Sequence, residues 1–593
     1  MIHFFVNPRN TVYGVQTEQN LSAEDTQKLN WLFGNAQKLD DTKLNHYYVG
    51  PRAAMITPWS TNAVEITQNM GISGIIRIEE FQPVPADFND FDPMISQKYE
   101  ALTQEMYTIN ITPEPILEIE DIDAYNKQEG LALSAEEVAY LDNLAVKIGR
   151  KLTDSEVFAF SQANSEHCRH KIFNGTFVID GEEMPTSLFK LIKKTSETHP
   201  NDIVSAYKDN VAFVKGPKVI QFAPGSADKP DFYEEKEFES VLSLKAETHN
   251  FPTTVEPFSG AATGSGGEIR DRLAGGQGAL PLAGTAIYMT AYSRLEQTPL
   301  NLQPGTITEP AKVSENPRPW ENGMPERQWL YQTPMDILIK ASNGASDFGN
   351  KFGQPLITGS VLTFEHEEHF DELNVTRKLG YDKVIMQAGG IGYGKLDQAK
   401  KHIPQPGDKI VILGGENYRI GMGGAAVSSA DTGAFGSGIE LNAIQRSNPE
   451  MQKRAANAIR GLVESDNNPI VSIHDHGAGG HLNCLSELVE DTGGLIDLDK
   501  LPVGDPTLSA KEIIGNESQE RMGLVISEKD IEILQKVADR ERAPMYTVGD
   551  VTGDHRFTFE SKTTGEKPMD YALEDFFGSS PKTIMKDKKV RYN

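Results

Sequence analysis

Between Val241 and Ala274 the chain reads VLSLKAETHNFPTTVEPFSGAATGSGGEIRDRLA, and no other stretch constrains its folding as much. Val241-Leu-Ser-Leu244 has the alternation and partial β-branching of a strand. Lys245, Glu247, His249 and Asn250 fall just past its predicted end, and Pro252 follows. A glycine-rich loop is then expected over Gly260-Ala261-Ala262-Thr263-Gly264-Ser265-Gly266-Gly267, with Glu268, Ile269, Arg270 and Asp271 directly behind it. A general base, carboxylates suited to a metal, cations and a flexible run of backbone N–H groups thus lie close together in sequence. That is equipment for holding a phosphate and a divalent cation.

The glycines carry a physical reading. A phosphate needs several N–H groups turned toward it, and a Cβ would block the approach. Thr263 and Ser265 add hydroxyl donors. The pattern is neither the P-loop, since no Gly-Lys-Ser/Thr follows, nor the dinucleotide fingerprint, since no G-x-G-x-x-G opens a helix. The alternative for the glycines alone is a plain turn; Lys245, Glu247 and His249 beside them favour the phosphate reading.

Charge and composition narrow the classes. The net charge of −28, from 85 acidic and 57 basic residues, argues against broad binding to nucleic acid or anionic membranes and fits a cytoplasmic enzyme. An anionic substrate would then need local Lys and Arg. Two cysteines, Cys168 and Cys484, exclude a disulfide scaffold. No apolar run approaches the roughly 20 residues of a membrane span.

In chain order, 593 residues suggest about four domains. Residues 1–125 read as a small α+β domain, with strands at Ile2–Val6, Asn45–Val49 and Ile75–Glu79 and helices at Ala23–Phe33, Ala63–Asn69 and Met94–Glu105. Gly50-Pro-Arg-Ala-Ala-Met-Ile-Thr-Pro-Trp-Ser60 is expected to be either a packed turn with a buried Trp59 or a functional loop. Residues 120–127 read as an acidic connection. Residues 126–175 read as a helical linker domain, with capping boxes at Ser134–Glu137 and Thr153–Glu156. Its second helix runs into Ser165-Glu-His-Cys-Arg-His170, a poor zinc pattern and a better basic helix end facing an anionic ligand. Residues 176–405 read as an α/β domain, with strands Val211–Val214 and Val219–Phe222 split by a turn. The proline-rich stretch from Thr306 to Thr333 is expected to be a surface excursion, and Ala341–Phe352 a polar loop that could close over a nucleotide. Residues 406–575 begin a new domain at Lys409–Leu413. Its strand Ile470–Asp475 delivers Asp475 at a C-terminal end, a favoured ligand position. Residues 576–593 read as a basic tail or cut linker.

Five motifs occur here in the order found in phosphoribosylformylglycinamidine synthase: SEHCRHKIFN (165–174), LKAETHNFP (244–252), GAATGSGGEIRD (260–271), IHDHGAGG (473–480) and NESQERM (516–522). GPRAAMITPWS (50–60) is similar to the N-terminal domain of that family's large, single-chain form. The resemblance implies a multidomain α/β and α+β fold: a small N-terminal domain, a helical linker, then N- and C-domains like those of aminoimidazole ribonucleotide synthetase. It implies ATP-dependent amidation of formylglycinamide ribonucleotide in purine synthesis, through an iminophosphate from which ammonia, supplied by a glutaminase domain, displaces phosphate.

Residue by residue, the resemblance implies catalytic roles for His167 and His249, with His249 the proton acceptor. It implies magnesium ligands at Glu247, Asp271 and Asp475, and nucleotide contacts at Lys245 and along Gly260–Asp271. Substrate contacts are implied at Thr248, Asn250, Phe251, Arg270, Gln445, Glu517, Ser518 and Gln519. Phe251 stands where some members have His, so it can stack but cannot donate a hydrogen bond. The family's large form also carries a second pair of synthetase domains and a glutaminase domain. Neither cysteine here sits in a Gly-x-Cys-x-Gly elbow, so this chain reads as the first half of such an enzyme, needing the missing half as partner. Two other readings stay open: a different ATP-dependent synthetase of the same superfamily, and a non-catalytic nucleotide-binding assembly fragment.

Overall fold

The computed structural model describes residues 1–292, 319, 329, 331–430, 434, 437–517, 520–578 and 580–590. The chain divides into two units. The first comprises 1–115 with 416–419 and 503–509, and the second comprises the rest.

In the first unit, among the described residues, a six-stranded sheet has the order β3-β1-β2-β5-β4-β6. Its strands are β1 (Ile2–Val6), β2 (Val12–Thr17), β3 (Gln37–Lys38), β4 (Tyr48–Pro51), β5 (Ile75–Pro83) and β6 (Ser96–Tyr99), with helices α1 (Ala23–Leu32) and α2 (Pro58–Asn69). Three expectations fail here. Ser96–Tyr99 is a strand inside the stretch predicted as the helix Met94–Glu105, where pairing with β4 decides the conformation. Helix α2 starts earlier, because Thr57 caps it and Pro58 takes the first turn, where its missing N–H costs nothing. Trp59 is 41% exposed rather than buried. The turn before α2 is packed instead around the Arg77 guanidinium, which donates to the carbonyls of Arg52, Ala53 and Met55 and pairs with Glu79.

The second unit opens with α3 (Ile122–Glu129), α4 (Ala135–Ile148) and α5 (Asp154–Ala163). The predicted acidic connection is therefore largely helical, capped by Asp121. Both capping boxes are present. After α6 (Glu166–Arg169), β7 (Thr176–Ile179), β8 (Glu182–Glu183) and α7 (Leu188–Thr198) comes a six-stranded sheet ordered β13-β12-β16-β11-β10-β9. Its members are β9 (Ile203–Ser205), β10 (Ala212–Pro224), β11 (Tyr233–Thr248), β12 (Leu280–Thr290), β13 (Leu356–Thr363) and β16 (Ile385–Lys395). A separate hairpin joins β14 (Glu365–Phe370) to β15 (Val375–Gly380). The two strands predicted around Lys215–Lys218 are one strand, β10, carrying a register shift there.

The glycine stretch is the main correction. Asn250–Val255 forms α8, and Pro257–Leu273 forms one continuous buried helix, α9, not a loop. Its glycines serve close packing. A Cβ at Gly260 would lie 2.3 Å from the Pro252 carbonyl carbon, and one at Gly266 would lie 2.7 Å from the Phe348 ring. Inside the helix, Glu268 and Arg272 pair at 2.8 Å, and Gln354 donates to Glu268 at 2.6 Å. Ala341–Phe352 is likewise no loop but part of α10 (Pro334–Phe352), which buries Ile337, Ala341, Phe348 and Phe352 along one stripe. Most of 306–333 lies outside the described residues.

The next sheet, seven-stranded among the described residues, is ordered β18-β20-β17-β21-β19-β22-β23. It uses β17 (Lys409–Gly414), β18 (Ile470–Asp475), β19 (Gly494–Asp497), β20 (Arg521–Ile526), β21 (Met545–Val551), β22 (Arg556–Glu560) and β23 (Met569–Ala572). The intervening helices are α11 (Gly424–Ser428), α12 (Ser437–Asn442), α13 (Pro449–Glu464), α14 (Gly480–Leu488), α15 (Ala510–Gly515) and α16 (Ile531–Glu541). One core joins α3–α5 to this sheet through Phe158, Phe160, Phe557, Phe559 and Tyr571, so the linker helices share its core. A second core joins Ile269 and Leu273 of α9 and Phe348 of α10 to Ile459 and Leu462 of α13. The expected tail contains β24 (Ile584–Asp587), which pairs with β7 in parallel.

Packing at α9 gives a test. Gly260→Ala should lower the thermal unfolding midpoint, because its Cβ meets fixed backbone. Gly267→Ala, whose Cβ meets only Arg270 Nη2 at 3.6 Å and Glu247 Cγ at 3.7 Å, should leave the midpoint unchanged or higher. Equal tolerance of both, measured by calorimetry, would contradict the packed helix.

Candidate active site

Strand β11 runs three residues beyond Lys245, so Lys245 and Glu247 alternate with Leu244 and Ala246 and point to the face that carries α9. Lys245 Nζ meets Asp271 Oδ2 at 2.7 Å and Glu247 Oε2 at 3.3 Å. Along α9 only Thr263, Gly267, Arg270 and Asp271 line the cavity, a spacing that marks one helical face. Gly260, Ala261, Ala262, Gly264, Ser265, Gly266, Glu268 and Ile269 turn into the surrounding packing. Inside a helix the backbone N–H groups are already committed to carbonyls, so the expected phosphate cradle is absent.

The cavity measures about 370 Å3. It gathers His167, Lys245, Glu247, Thr248, His249, Asn250, Phe251, Arg270, Asp271, Gln445, Asp475 and Glu517 from strand ends, helices and loops distant in sequence. Ser518 and Gln519 lie outside the described residues. Asn250 caps the turn by accepting from the Met386 N–H at 3.0 Å, and the His249 N–H donates to the Met386 carbonyl at 2.9 Å.

Four contributors escaped the sequence reading. Asn210 donates from Nδ2 to Asp271 Oδ1 at 3.0 Å and Asp475 Oδ1 at 2.6 Å. Gln452 accepts from Arg270 Nη1 at 3.1 Å. His474 places Nε2 2.5 Å from Glu487 Oε2 and Nδ1 3.3 Å from Asp475 Oδ1. His474 stands inside a motif already noted, so its position was visible and its partner Glu487 was not. Asn210 and Gln452 belong to no local pattern.

The electrostatics follow from burial against pairing. Burial pushes the Asp271 carboxyl up to about 7, with Lys245 opposing and the charges of Asp475 and Glu247 adding to the rise. Burial also acts on Asp475, but the bond and charge of His474, with Arg270 and Lys245, hold it well below the carboxylate range. Glu247 stays low despite burial because Lys245, His167 and His249 face it. Burial pushes Glu517 up to about 7, while the N–H groups of Gly479 and Gly424 donate to it at 3.1 and 2.8 Å. Burial lowers His167, and it lowers His249 to about 4. Both rings are neutral at pH 7, and His249 Nδ1 has no hydrogen-bond partner. The Arg270 side chain is 2% exposed, and its Nε makes no hydrogen bond.

The carboxylates of Glu247, Asp271 and Asp475 suit a hard, oxygen-preferring cation. Among the described residues, no three His, Cys, Asp or Glu side chains form a ready cage. Lys245 and Asn210 lie between the carboxylates instead. That arrangement fits magnesium held by one or two carboxylates and completed by phosphate oxygens. A second cleft of about 1150 Å3 adjoins, sharing Cys168, Lys245, His474 and Glu487 with the first and adding His170, Phe189, Tyr207 and Asn210.

His249 gives a direct check. The unfolded chain takes up a proton at a histidine near pH 6.5, and the folded chain does so at His249 only near 4, so this site lowers stability as pH falls between those values. Histidine NMR from pH 8 to 5.5 should show the His249 ring staying neutral. A midpoint near 6.5 would contradict its burial.

Three family models match the chain in order. Formylglycinamide ribonucleotide amidotransferase N-terminal matches residues 10–110, the linker domain of the same enzyme matches 122–171, and AIR synthase related protein, C-terminal domain, matches 405–562. The chain is similar in fold to Thermotoga maritima PurL solved with FGAR, at 23% identity and a TM-score of 0.50, over 77% of this chain and 58% of that one. The same protein solved with ATP matches at 21% identity and a TM-score of 0.49, over 76% and 56%. The chain thus spans under two thirds of the length of these PurL chains. No helix among the described residues is long and apolar enough to cross a membrane. The chain thus carries, in one order, the N-terminal and linker domains of formylglycinamide ribonucleotide amidotransferase and an AIR-synthase-related C-terminal domain.

Proposed function

We propose that this chain supplies a synthetase half-site for ATP-dependent amidation of formylglycinamide ribonucleotide in purine biosynthesis. The observation that carries this reading is the convergence of His167, His249, Lys245, Arg270 and three carboxylates on one cavity, in a chain with that enzyme's N-terminal and linker domains. The FGAR named for the Thermotoga relative supports the substrate.

In this reading the substrate occupies the smaller cavity, beside His249, Asn250, Phe251, Gln445 and Glu517. The nucleotide enters from the larger cleft, where the rings of His170, Phe189 and Tyr207 offer a surface for the base. The shared wall at Lys245 is where the two substrates meet. ATP gives its terminal phosphoryl group to the amide oxygen. The amide nitrogen loses its proton as the C=N bond of the iminophosphate forms; ammonia then attacks that carbon, the C–O bond breaks with its electron pair leaving on phosphate, and a proton leaves the new nitrogen. His249, neutral and lining this cavity, is the residue assigned to accept that proton. His167 lines the same cavity and is also neutral. Lys245 and Arg270 offset phosphoryl charge, the main requirement of such a transfer. Glu247, Asp271 and Asp475 would hold magnesium, which supplies charge neutralisation and a template for phosphate oxygens when bound.

The ammonia comes from elsewhere. Burial pushes the Cys168 thiol up to about 12, so it is no ready nucleophile for glutamine, and Cys484 is buried. The remaining synthetase half is the proposed partner. It would cover the sheet face opposite α9 and α10, where Leu244 and Leu362 are 45% and 50% exposed beside Ile391 and Met289. A cytoplasmic setting, with both thiols reduced, completes the reading.

Mixing this chain with a separately expressed remainder, ATP, magnesium, ammonium and formylglycinamide ribonucleotide should give substrate-dependent ADP release. His249→Ala should lower it by about 10²–10⁴-fold. No release from a mixture shown by sedimentation to be associated would overturn the reading.

A further inference from the structure

We infer that Asn210 is a positioning residue that clamps Asp271 of α9 and Asp475 of β18 into one pair of cation ligands; this rests on the magnesium reading above. Its amide is placed for that task. Asp271 comes from the last turn of helix α9, and Asp475 from the end of strand β18. Asn210 hydrogen-bonds both, its Nδ2 donating to Asp271 Oδ1 at 3.0 Å and to Asp475 Oδ1 at 2.6 Å. Two carboxylates drawn together repel at short range, and neither Lys245 nor Arg270 prevents this alone. Lys245 reaches Asp271 at 2.7 Å, while the Arg270 Nε stands 4.0 Å from Asp475. An amide NH2 group offers two protons and no net charge, so it bridges two carboxylates without becoming a permanent counter-ion that would exclude a metal.

The clamp is itself held. The neighbouring Asp209 accepts from the Gly276 N–H at 2.7 Å, just past α9, and pairs with Lys401 Nζ at 2.7 Å, just before β17. The loop before β10 is thereby tied to the segment that follows α9 and to the one that follows β16. A second observation marks the pair as facing a ligand. The Arg270 side chain lines the same cavity almost fully buried, and its Nε makes no hydrogen bond.

The test uses the full chain and Mn2+ alone as probe, followed by calorimetry or electron paramagnetic resonance, for the wild type, Asn210→Ala, Asn210→Gln and Asp475→Ala. Loss of a group that orients metal ligands costs about 10–100-fold in metal affinity. Asn210→Ala should weaken Mn2+ by that factor with an unchanged thermal midpoint. Asn210→Gln, which keeps the amide, should recover part of the loss. Asp475→Ala should abolish binding at this site. Wild-type binding that is lost in Asp475→Ala yet kept in Asn210→Ala would overturn the clamp and leave the metal assignment standing. Binding unchanged in Asp475→Ala, or absent from the wild type, would remove the metal assignment and the clamp together. A fall in Asn210→Ala matched by a fall in thermal midpoint, with no recovery in Asn210→Gln, would make Asn210 a structural residue and overturn the inference.

Discussion

The close seating of α9 against its neighbours is the constraint on which the site depends. Three helix positions without side chains let α9 approach where a Cβ could not: Gly260 against the α8 backbone, Gly264 against Met386 and His249, and Gly266 against Phe348. That approach brings Asp271 within ion-pair distance of Lys245 on β11 and leaves Arg270 on the cavity wall. It also sends Ile269 and Leu273 into the core shared with α13. One helix therefore fixes the sheet, α13 and the charged groups relative to each other.

The charges in the cavity are held at a cost. Asp271 and Glu517 are both pushed up to about 7 by burial. Groups in this condition are poorly satisfied without a ligand, which is the expected state of a site built to receive cations and phosphate. The neutral, buried His249 fits the same logic, since it can accept a proton without competing for the anionic substrate as a fixed charge.

Much of this was legible in the sequence because the signals are local. Both capping boxes, the strand ending at Asp475 and the strand at Lys409 follow from short patterns, and the charged residues of 245–271 stand close together in the sequence itself. The glycine stretch was misread because glycine carries two physical meanings, freedom of the backbone and absence of a side chain. Its sequence does not say which applies. The spacing of Ile337, Ala341, Phe348 and Phe352 marked a helix that polar neighbours obscured. Asn210 could not be found this way. Its role arises from two carboxylates that lie 61 and 265 residues away in the chain.

The central claim is that phosphate and cation chemistry occurs at the junction of β11, α9 and β18, not on a glycine loop. A crystal structure of the chain with Mn2+ and a non-hydrolysable ATP analogue tests it most directly. The account predicts an anomalous peak bound by Asp271, Asp475 or Glu247, with the phosphates beside Lys245 and the base in the cleft of His170, Phe189 and Tyr207. A peak elsewhere, or phosphates held by the backbone N–H groups of Gly260–Gly267, would contradict it.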